Sequence, residues 1–454
     1  MKFPKICYFC SRKISQNQRI FMERLQMNQL VKWKNRPNRK PLIMRGARQV
    51  GKTWLMKEFA QKYYTSHIYI NFEDNEPLKS LFVQDFDMER IVQTIQIYTG
   101  KALNSSTLLL LDEIQEAPRG VTALKYFCEK RRDLHVIAAG SLLGIANNHN
   151  DSFPVGKVDF IDIAPLSFIE FLLANGKHDW VDAIHNRQWD VLNIISAQLR
   201  DCLLTYFYVG GMPEVVNVYI SEHDFAEVRR IQNNILSTYD NDFSKHAPSA
   251  QVPRIRMVWN SIKSQLAREN KKFIFGVLKQ GARAREFELA IEWLSDAGLV
   301  HKVNRTKKGL LPISAYEDLS AFKLFMLDIG LMVAMSKLSP QTLIEGNALF
   351  ADAKGAYAEQ YVLQQMKACS HDMHICYWSA QNSSGEIDFL VQTGDKVLPI
   401  EVKAEVNLRA KSLRTFVNAN PGLHGIRFSM SPYQEQDWLT NIPLYAITTI
   451  FKDN

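Results

Sequence analysis

The sequence has no long apolar run. Stretches such as residues 108–111 fall far short of the ~20 apolar residues that a helix needs to cross a bilayer. The first residues include the basic Lys2 and Lys5, but the continuous apolar core of a secretion signal does not follow them. We therefore expect a cytoplasmic protein without a membrane span.

Cysteine is also sparse, with six residues at positions 7, 10, 128, 202, 369 and 376. Disulfide-stabilised folds are short and rich in cysteine, so this class is excluded and free thiols are expected. Cys7 and Cys10 lack the matching second pair that a four-ligand zinc site needs. Residues 369–376 have irregular Cys and His spacing, and His374 and Cys376 begin a predicted strand, which favours core packing over zinc binding.

Net charge is nearly absent from most of the chain. The formal charge is +8, but residues 1–40 hold eleven Lys or Arg against one acid, Glu23, so a net charge of −2 remains for residues 41–454. Because neutralisation of phosphates supplies most nucleic-acid affinity, DNA contact must come from local patches or from a basic N-terminal extension, residues 1–26. A solvated leader explains the same extension equally well.

Residues 27–165 have the pattern of an α/β domain, in which short apolar strands alternate with amphipathic helices. The predicted strands are 42–45, 67–72, 107–111, 135–139 and 158–163. Their alternation with helices predicts a parallel sheet that is covered on both faces. Residues 166–245 follow with apolar residues at helical spacing, and we interpret them as a helical lid or linker.

Residues 246–345 suggest a winged-helix region, because two predicted helices, the second over 285–296, precede a strand. Nine Lys or Arg against four acids in residues 271–308 are enough for a DNA-contacting patch. A packing module between domains, with a solvated face, explains the same pattern. Residues 346–454 form a third unit, so the predicted fold class is α/β and multidomain.

The loop after the first strand matches GxxxxGK(S/T), in the strand-to-helix context that this pattern requires. Glycines allow the backbone amides and the start of the next helix to point at phosphate oxygens. Lys52 can reach the β- and γ-phosphates, and the Thr53 hydroxyl can bind Mg²⁺. The predicted ATP-binding residues are Gly46, Ala47, Arg48, Gln49, Val50, Gly51, Lys52 and Thr53.

The apolar strand 107–111 ends in two carboxylates, at the sheet edge where open α/β sheets bind ligands. Asp112 is predicted to hold Mg²⁺ together with Thr53. Glu113 is predicted to take a proton from the attacking water or to orient that water. The sequence thus predicts an ATP hydrolase with ATP and Mg²⁺ at its site.

At these residues the chain resembles the AAA-type ATPases that carry a catalytic glutamate beside the magnesium aspartate. More narrowly, it resembles bacterial and archaeal ATP-binding proteins fused to a C-terminal domain of unknown function with a nuclease-like fold. The resemblance extends over nearly all of the chain after about residue 27. It is carried by the segments RGARQVGKTWLMKEF, LLLLDEIQEAP, AAGSLLG, PVGKVDFIDIAPLSFIEF, GGMPE and EIDF followed by IEVKA.

The resemblance implies that Ser141, after the fourth strand, senses the γ-phosphate, although a simple turn at Ser141 is the alternative. It also implies an arginine supplied by a neighbouring subunit. Lys157 is the only cation between Ser141 and Pro165, and lysine is a poorer bidentate partner for phosphate. Lys157 is therefore only a candidate, and the oligomeric state stays open.

In the third unit, Asp388 and the tripeptide Glu401-Val402-Lys403 are spaced as on a hairpin. Glu401 and Lys403 are expected on one face because strand side chains alternate. This set resembles the PD-(D/E)xK nucleases, in which Asp388 and Glu401 would bind the metal and Lys403 would stabilise developing charge. Glu359 matches the additional acid on the first helix of that motif.

Two functions therefore remain open. In the first, ATP hydrolysis is coupled to a DNA-contacting winged-helix region and a nuclease-like domain. In the second, a nucleotide-gated protein uses an inactive nuclease-like fold to bind a protein partner, because a fold does not fix its function. Residues 353–418 hold seven basic and seven acidic residues, so a broad basic groove is not expected there.

Overall fold

A computed structural model describes residues 22–140, 153–268, 272–344, 351–369, 373–380, 385–404 and 410–451. The strands are β1 (Leu42–Arg45), β2 (Ser66–Asn71), β3 (Thr107–Asp112), β4 (His135–Ala139), β5 (Asp159–Asp162), β6 (Val300–Thr306), β7 (Glu317–Met326), β8 (His374–Ser379), β9 (Glu386–Thr393), β10 (Lys396–Val402), β11 (Gly425–Ser429), β12 (Gln434–Gln436) and β13 (Leu439–Pro443).

The α-helices are α1 (Gln26–Lys34), α2 (Lys52–Tyr63), α3 (Glu76–Lys79), α4 (Met88–Thr99), α5 (Gly120–Lys130), α6 (Phe168–Ala174), α7 (His178–His185), α8 (Trp189–Ile194), α9 (Ser196–Val209), α10 (Pro213–Glu222), α11 (Phe225–His246), α12 (Val252–Leu266), α13 (Ala284–Asp296), α14 (Ile329–Met335), α15 (Pro340–Ile344), α16 (Ala351–Cys369) and α17 (Lys411–Ala419). None of the described helices has the length and apolar character of a membrane span.

The first sheet consists of five parallel strands in the order β2-β3-β4-β1-β5. In β3, Leu108 and Leu110 pack into one core cluster, whereas Leu109 and Leu111 pack into another on the opposite face. This alternation confirms the predicted sheet covered on both faces, and each predicted strand agrees with an observed strand to within one residue at either end. Because β4 lies between β1 and β3, the loops after these strands meet at one edge.

The segment after this sheet is helical, as predicted, and comprises α6 to α11. The Gly-Gly turn between α9 and α10 allows close contact of backbones. A Cβ atom on Gly211 would lie 2.1 Å from the Leu166 carbonyl oxygen, and one on Gly330 would lie 2.4 Å from the Val209 carbonyl oxygen. Glycine is required at both positions because a side chain would push these segments apart.

The second sheet has eight strands in the order β12-β13-β11-β10-β9-β8-β6-β7. Strands β6 and β7 form an antiparallel hairpin, and β6 pairs in parallel with β8 through Arg305–Tyr377 and Thr306–Trp378. Helices α12 and α13 precede this hairpin, in the order expected of a winged helix. However, the hairpin is part of the C-terminal sheet, so the boundary predicted at residue 346 does not separate two independent sheets.

The boundary predicted at residue 27 is also crossed by contacts. The Arg24 side chain is buried and forms an ion pair with Glu170 of α6. The Leu25 amide donates to the same carboxylate. Residues 24 and 25, which we assigned to the basic extension, are therefore integral to the first domain.

Candidate functional site

The loop between β1 and α2 has the conformation that its glycines permit. Gly51 has φ of +91° immediately before α2, and a Cβ atom on Gly46 would lie 2.4 Å from the Ile163 carbonyl oxygen. These glycines let the chain turn sharply between a buried strand and the start of a 12-residue helix. The start of α2 therefore offers backbone N–H groups and a positive helix dipole to an anion.

Lys52 lies inside this loop. Its ammonium group donates hydrogen bonds to the carbonyl oxygens of Gly46 (3.0 Å) and Ala47 (2.8 Å). Burial lowers the pKa of Lys52 to about 8, although the Glu113 and Asp112 carboxylates oppose this shift. A buried ammonium group whose charged form is penalised would gain from the oxygens of a bound polyphosphate.

Thr53 and Asp112 are brought together as predicted. The Thr53 hydroxyl donates to Asp112 Oδ2 at 2.7 Å, and the Tyr69 hydroxyl donates to the same oxygen at 3.0 Å. A hydroxyl and a carboxylate are ligands that suit Mg²⁺. The residues present therefore fit the predicted magnesium site, and the position of Asp112 is fixed by Tyr69 from the neighbouring strand β2.

Glu113 follows β3 in a left-handed backbone conformation with φ of +49°. The Gln115 amide donates to its carboxylate at 2.5 Å. Burial raises the pKa of Glu113, while Gln115 and Lys52 oppose this shift. A carboxylate with a raised pKa is a better proton acceptor than an ordinary glutamate, which suits the predicted general base.

Two groups hold the loop backbone from outside. Arg24 donates to the Val50 carbonyl at 3.0 Å and to the Ala164 carbonyl at 2.7 Å. The Tyr239 hydroxyl, from α11, donates to the Arg48 carbonyl at 2.9 Å. These hydrogen bonds fix the Val50 and Arg48 carbonyl groups of the loop.

Arg48 connects the loop to α11 through its side chain as well. Its guanidinium group donates to Asp242 Oδ1 at 2.7 Å. His246 Nε2 lies 3.4 Å from the same guanidinium group. The charge of Arg48 also contributes to the pKa shifts of Lys52 and Glu113, so it acts on the site electrostatically.

Ser141, the predicted γ-phosphate sensor, lies outside the described residues. Lys157, the candidate for a residue acting on a neighbouring subunit, forms an ion pair with Glu129 of its own chain at 2.9 Å. This ion pair engages the Lys157 ammonium group within its own chain. That Lys157 acts on a neighbouring subunit stays a prediction.

The four residues predicted for the C-terminal site lie in one cluster. Lys403 Nζ is 2.6 Å from Glu401 Oε1, as expected for side chains on one face of a strand. Asp388 Oδ2 accepts a hydrogen bond from the Val402 amide at 2.7 Å. Burial raises the pKa of Glu401, opposed by Lys403 and reinforced by Glu359, which places the α16 acid at the same centre.

A second lysine, Lys323 of β7, occupies the middle of this cluster. Its side chain is fully buried; its ammonium group is 3.4 Å from the Glu359 carboxylate and also contacts Glu386. Burial alone would lower the pKa of Lys323, but Glu359, Glu386 and Asp388 together outweigh it and raise the pKa. Lys323 therefore pairs with Glu359 and Glu386, while Glu401, a predicted metal ligand, pairs with Lys403.

The described residues contain one group of three potential metal ligands with ligating atoms within 4.8 Å of one another. That group is Glu317, His374 and Cys376. Glu359, Asp388 and Glu401 do not form such a group among the described residues, so the predicted metal ligands are near one another without converging on a point.

The surface of α13, the predicted DNA-recognition helix, is largely acidic. Its exposed positions include Glu288, Glu292 and Asp296, with Arg285 near the start of the helix. Phosphates would be repelled along most of this surface. Within residues 272–308, the other exposed basic residues lie before α13 or on the hairpin: Lys279, Arg283, Lys302, Lys307 and Lys308.

Several residues at these sites were missed from the sequence. Arg24 was one basic residue among eleven in residues 1–40, and nothing in its neighbours marks it as buried. Lys323 did carry a signal, because it is the only charged residue in the apolar run 321–327. A lone charge in a buried strand requires a partner.

Comparisons with known proteins divide the chain into three matched segments. Residues 38–172 match a family described as an AAA domain. Residues 200–342 and 354–447 match two families that are each described as a domain of unknown function. Among curated proteins, no relative matches the sequence.

Similar solved structures include the Walker-type ATPase PABY2304 of Pyrococcus abyssi, with 12% identity over 70% of this chain and 96% of that chain at a TM-score of 0.43. They also include the Orc1 protein of Aeropyrum pernix in complex with DNA (12% identity, 69% and 91% covered, TM-score 0.28). Cdc6p of Pyrobaculum aerophilum matches with 12% identity, 71% and 93% covered and a TM-score of 0.23.

At these TM-scores the likenesses to solved structures support no further statement about this chain. The family match and the geometry of the phosphate loop are independent of them, since one rests on sequence and the other on the contacts of Lys52, Thr53 and Asp112. Residues 38–172 therefore match an AAA domain in sequence, and the contacts of Lys52, Thr53 and Asp112 lie within this matched segment.

Proposed function

We propose that the protein is a Mg²⁺-dependent ATP hydrolase whose nucleotide state is transmitted to its C-terminal half. The observation that carries the proposal is the contact between the Thr53 hydroxyl and Asp112, beside Glu113 and the buried ammonium group of Lys52. When bound, Mg²⁺ would neutralise phosphate charge. Thr53 and Asp112 would hold it.

The remaining residues have separate roles in hydrolysis. The backbone amides of the loop and the start of α2 orient the phosphates, and Lys52 stabilises their negative charge. Glu113 accepts a proton from the attacking water, for which its raised pKa is suited. Ser141 contacts the γ-phosphate in this proposal, as the resemblance implies.

We propose that the position of α11 depends on whether the phosphate loop holds ATP. Asp242 and Tyr239 hold the two ends of Arg48, its guanidinium group and its carbonyl. A bound triphosphate competes with Asp242 for this guanidinium group because both are anionic. ATP would then favour one position of α11 over another through differential affinity.

For the C-terminal unit, the structure favours the non-catalytic alternative over a nuclease. Glu401, a predicted metal ligand, already pairs with Lys403, and Glu359 and Glu386 pair with Lys323. A divalent ion would have to displace Lys403 from Glu401, and the buried ammonium group of Lys323 would repel it. We infer that these acids serve the fold rather than a metal-dependent cleavage.

The surface of the hairpin suits a protein partner better than DNA. Leu310, Leu311 and Leu319 are 49%, 42% and 67% exposed, near the basic Lys307 and Lys308. Apolar side chains flanked by charge are typical of protein-binding surfaces. DNA contact would have to rely on the hairpin lysines, because the exposed surface of α13 is acidic.

Replacement of Glu113 by Gln should lower kcat for ATP hydrolysis by about 10²–10⁴-fold, since the general base is removed. ATP binding should persist in this variant and be lost in Lys52→Ala. Turnover is measured as phosphate release and binding by calorimetry. Glu116→Gln, at an exposed position in the same segment, should behave like the parent, and unchanged turnover in Glu113→Gln would refute the assigned role.

ATP affinity should fall as the pH rises above about 8. The pKa of Lys52 is about 8 in the protein without ligand, and phosphate oxygens raise it on binding, so above this pH binding must take up a proton. Calorimetry between about pH 7.5 and about pH 9, in buffers of different ionisation enthalpy, measures both effects. Lys62→Met, at the far end of α2, should retain them; a pH-independent affinity would contradict the assignment.

Asp242→Asn should reduce the effect of ATP on α11 while leaving ATP turnover largely intact. The change removes the carboxylate that pairs with Arg48. Hydrogen exchange of residues 236–246 with and without ATP measures the effect. Asp240→Asn is the matched control, because Asp240 pairs with Arg256 instead. An undiminished ATP effect in Asp242→Asn would rule out this connection.

The purified protein should neither nick supercoiled plasmid with Mg²⁺ or Mn²⁺ nor retard it on a gel at physiological salt. Lys323 pairs with Glu359 and Glu386, and Lys403 pairs with Glu401, so these acids already have cationic partners. Nicking by the parent that disappears in Lys403→Ala would restore the nuclease hypothesis. Retardation of the plasmid without nicking would instead restore DNA as the partner.

A further inference from the structure

Three side chains of different types meet where the hairpin joins the C-terminal strands. Cys376 and His374 are two residues apart on β8, so they share a face, and Glu317 is the first residue of β7. Cys376 Sγ lies 3.6 Å from Glu317 Oε1 and 3.6 Å from His374 Nε2. His374 Nε2 and Glu317 Oε1 are in direct contact.

These separations match those of ligands around a tetrahedral zinc ion. Bonds of about 2.3 Å to sulfur and about 2.0–2.1 Å to nitrogen or oxygen place the sulfur roughly 3.5 Å from each of the other two ligand atoms. Both sulfur distances have this value already. The imidazole and the carboxylate alone would have to separate, and a cation between them would replace their present contact.

The surroundings hold the ligands in position. The Asn304 amide donates to the second carboxylate oxygen of Glu317 at 2.7 Å. Support of this kind around the ligands is usual in metal sites. Cys376 is fully buried, whereas the His374 side chain is 42% exposed, which gives an ion a path from solvent.

We propose that Glu317, His374 and Cys376 bind one Zn²⁺ ion, with water in the fourth position. Thiolate and imidazole ligands favour zinc over Mg²⁺, so this site would be distinct from the one at Thr53 and Asp112. The ion would connect the start of β7 to β8. That connection matters because β6 and β8 are joined by two residue pairs alone within the described strands.

The test uses the full chain, stripped of metal and titrated with Co²⁺ and Zn²⁺. We expect one equivalent of Co²⁺ to give a thiolate charge-transfer absorption band that one equivalent of Zn²⁺ removes. Thermal denaturation should show a higher Tm with Zn²⁺. Cys376→Ser should abolish the band. His374→Ala should weaken zinc binding by at least about 10-fold, because the loss of a residue that only supports a ligand already lowers metal affinity by that factor.

Two controls separate this site from Cys7, Cys10 and Cys369. Cys369→Ser, seven residues before Cys376 in the sequence, and the double variant Cys7→Ser/Cys10→Ser should both retain the band. Phosphate release from ATP, measured on each variant, shows that the protein is folded. The proposal is overturned if the parent gives no thiolate band, if the band survives in Cys376→Ser, or if zinc binding in His374→Ala equals that of the parent.

Discussion

The site depends on one constraint: the backbone of the phosphate loop must keep its carbonyl groups away from an anion. Backbone amides attract phosphate, but the carbonyl of each peptide unit repels it. Arg24 binds the Val50 carbonyl, Tyr239 binds the Arg48 carbonyl, and Lys52 binds two more within the loop. Arg24 is itself held by the buried carboxylate of Glu170. The loop is therefore preorganised by residues from the N-terminal segment and the helical segment, before any nucleotide binds.

The same helical segment is tied to the C-terminal half by buried hydrogen bonds. Asp328 accepts from the Gly211 amide at 2.6 Å and from the Gln364 amide at 3.0 Å, and Gln364 also donates to Tyr206. Buried polar groups of this kind are costly to separate, because each would lose its partner in a low dielectric. Helix α16 is therefore attached to the helical segment that contains α11. A movement of α11 would act on both. We infer that the two halves respond together.

The sequence was sufficient for the first sheet and its site because the evidence there is local. A strand, a glycine loop and a helix follow one another, and parallel strands bring Asp112 to the same edge as Thr53. Spacing predicted that Asp388, Glu401 and Lys403 lie together, and Glu359 was added by the resemblance to the nuclease motif. The contacts of Lys323 and Glu317 with this unit were not predicted, because both residues belong to a hairpin that pairs with β8 about 70 residues later. Periodicity indicates that a strand exists, but it does not identify the partner across a long connection.

This pairing also decides which acids of the C-terminal half can receive a metal ion. A metal ion bound among Glu359, Glu386 and Asp388 would lie close to the ammonium group of Lys323. The two positive charges would repel each other, and the buried ammonium group has no solvent around it to weaken that repulsion. The group formed by Glu317, His374 and Cys376 contains one carboxylate, one imidazole that binds a metal in its neutral form, and one thiol that binds as a thiolate after losing its proton. The present contact between His374 Nε2 and Glu317 is replaceable, because a zinc ion between the two groups could bind both. The hairpin thus contributes Lys323 to one group of acids and Glu317 to the proposed zinc site.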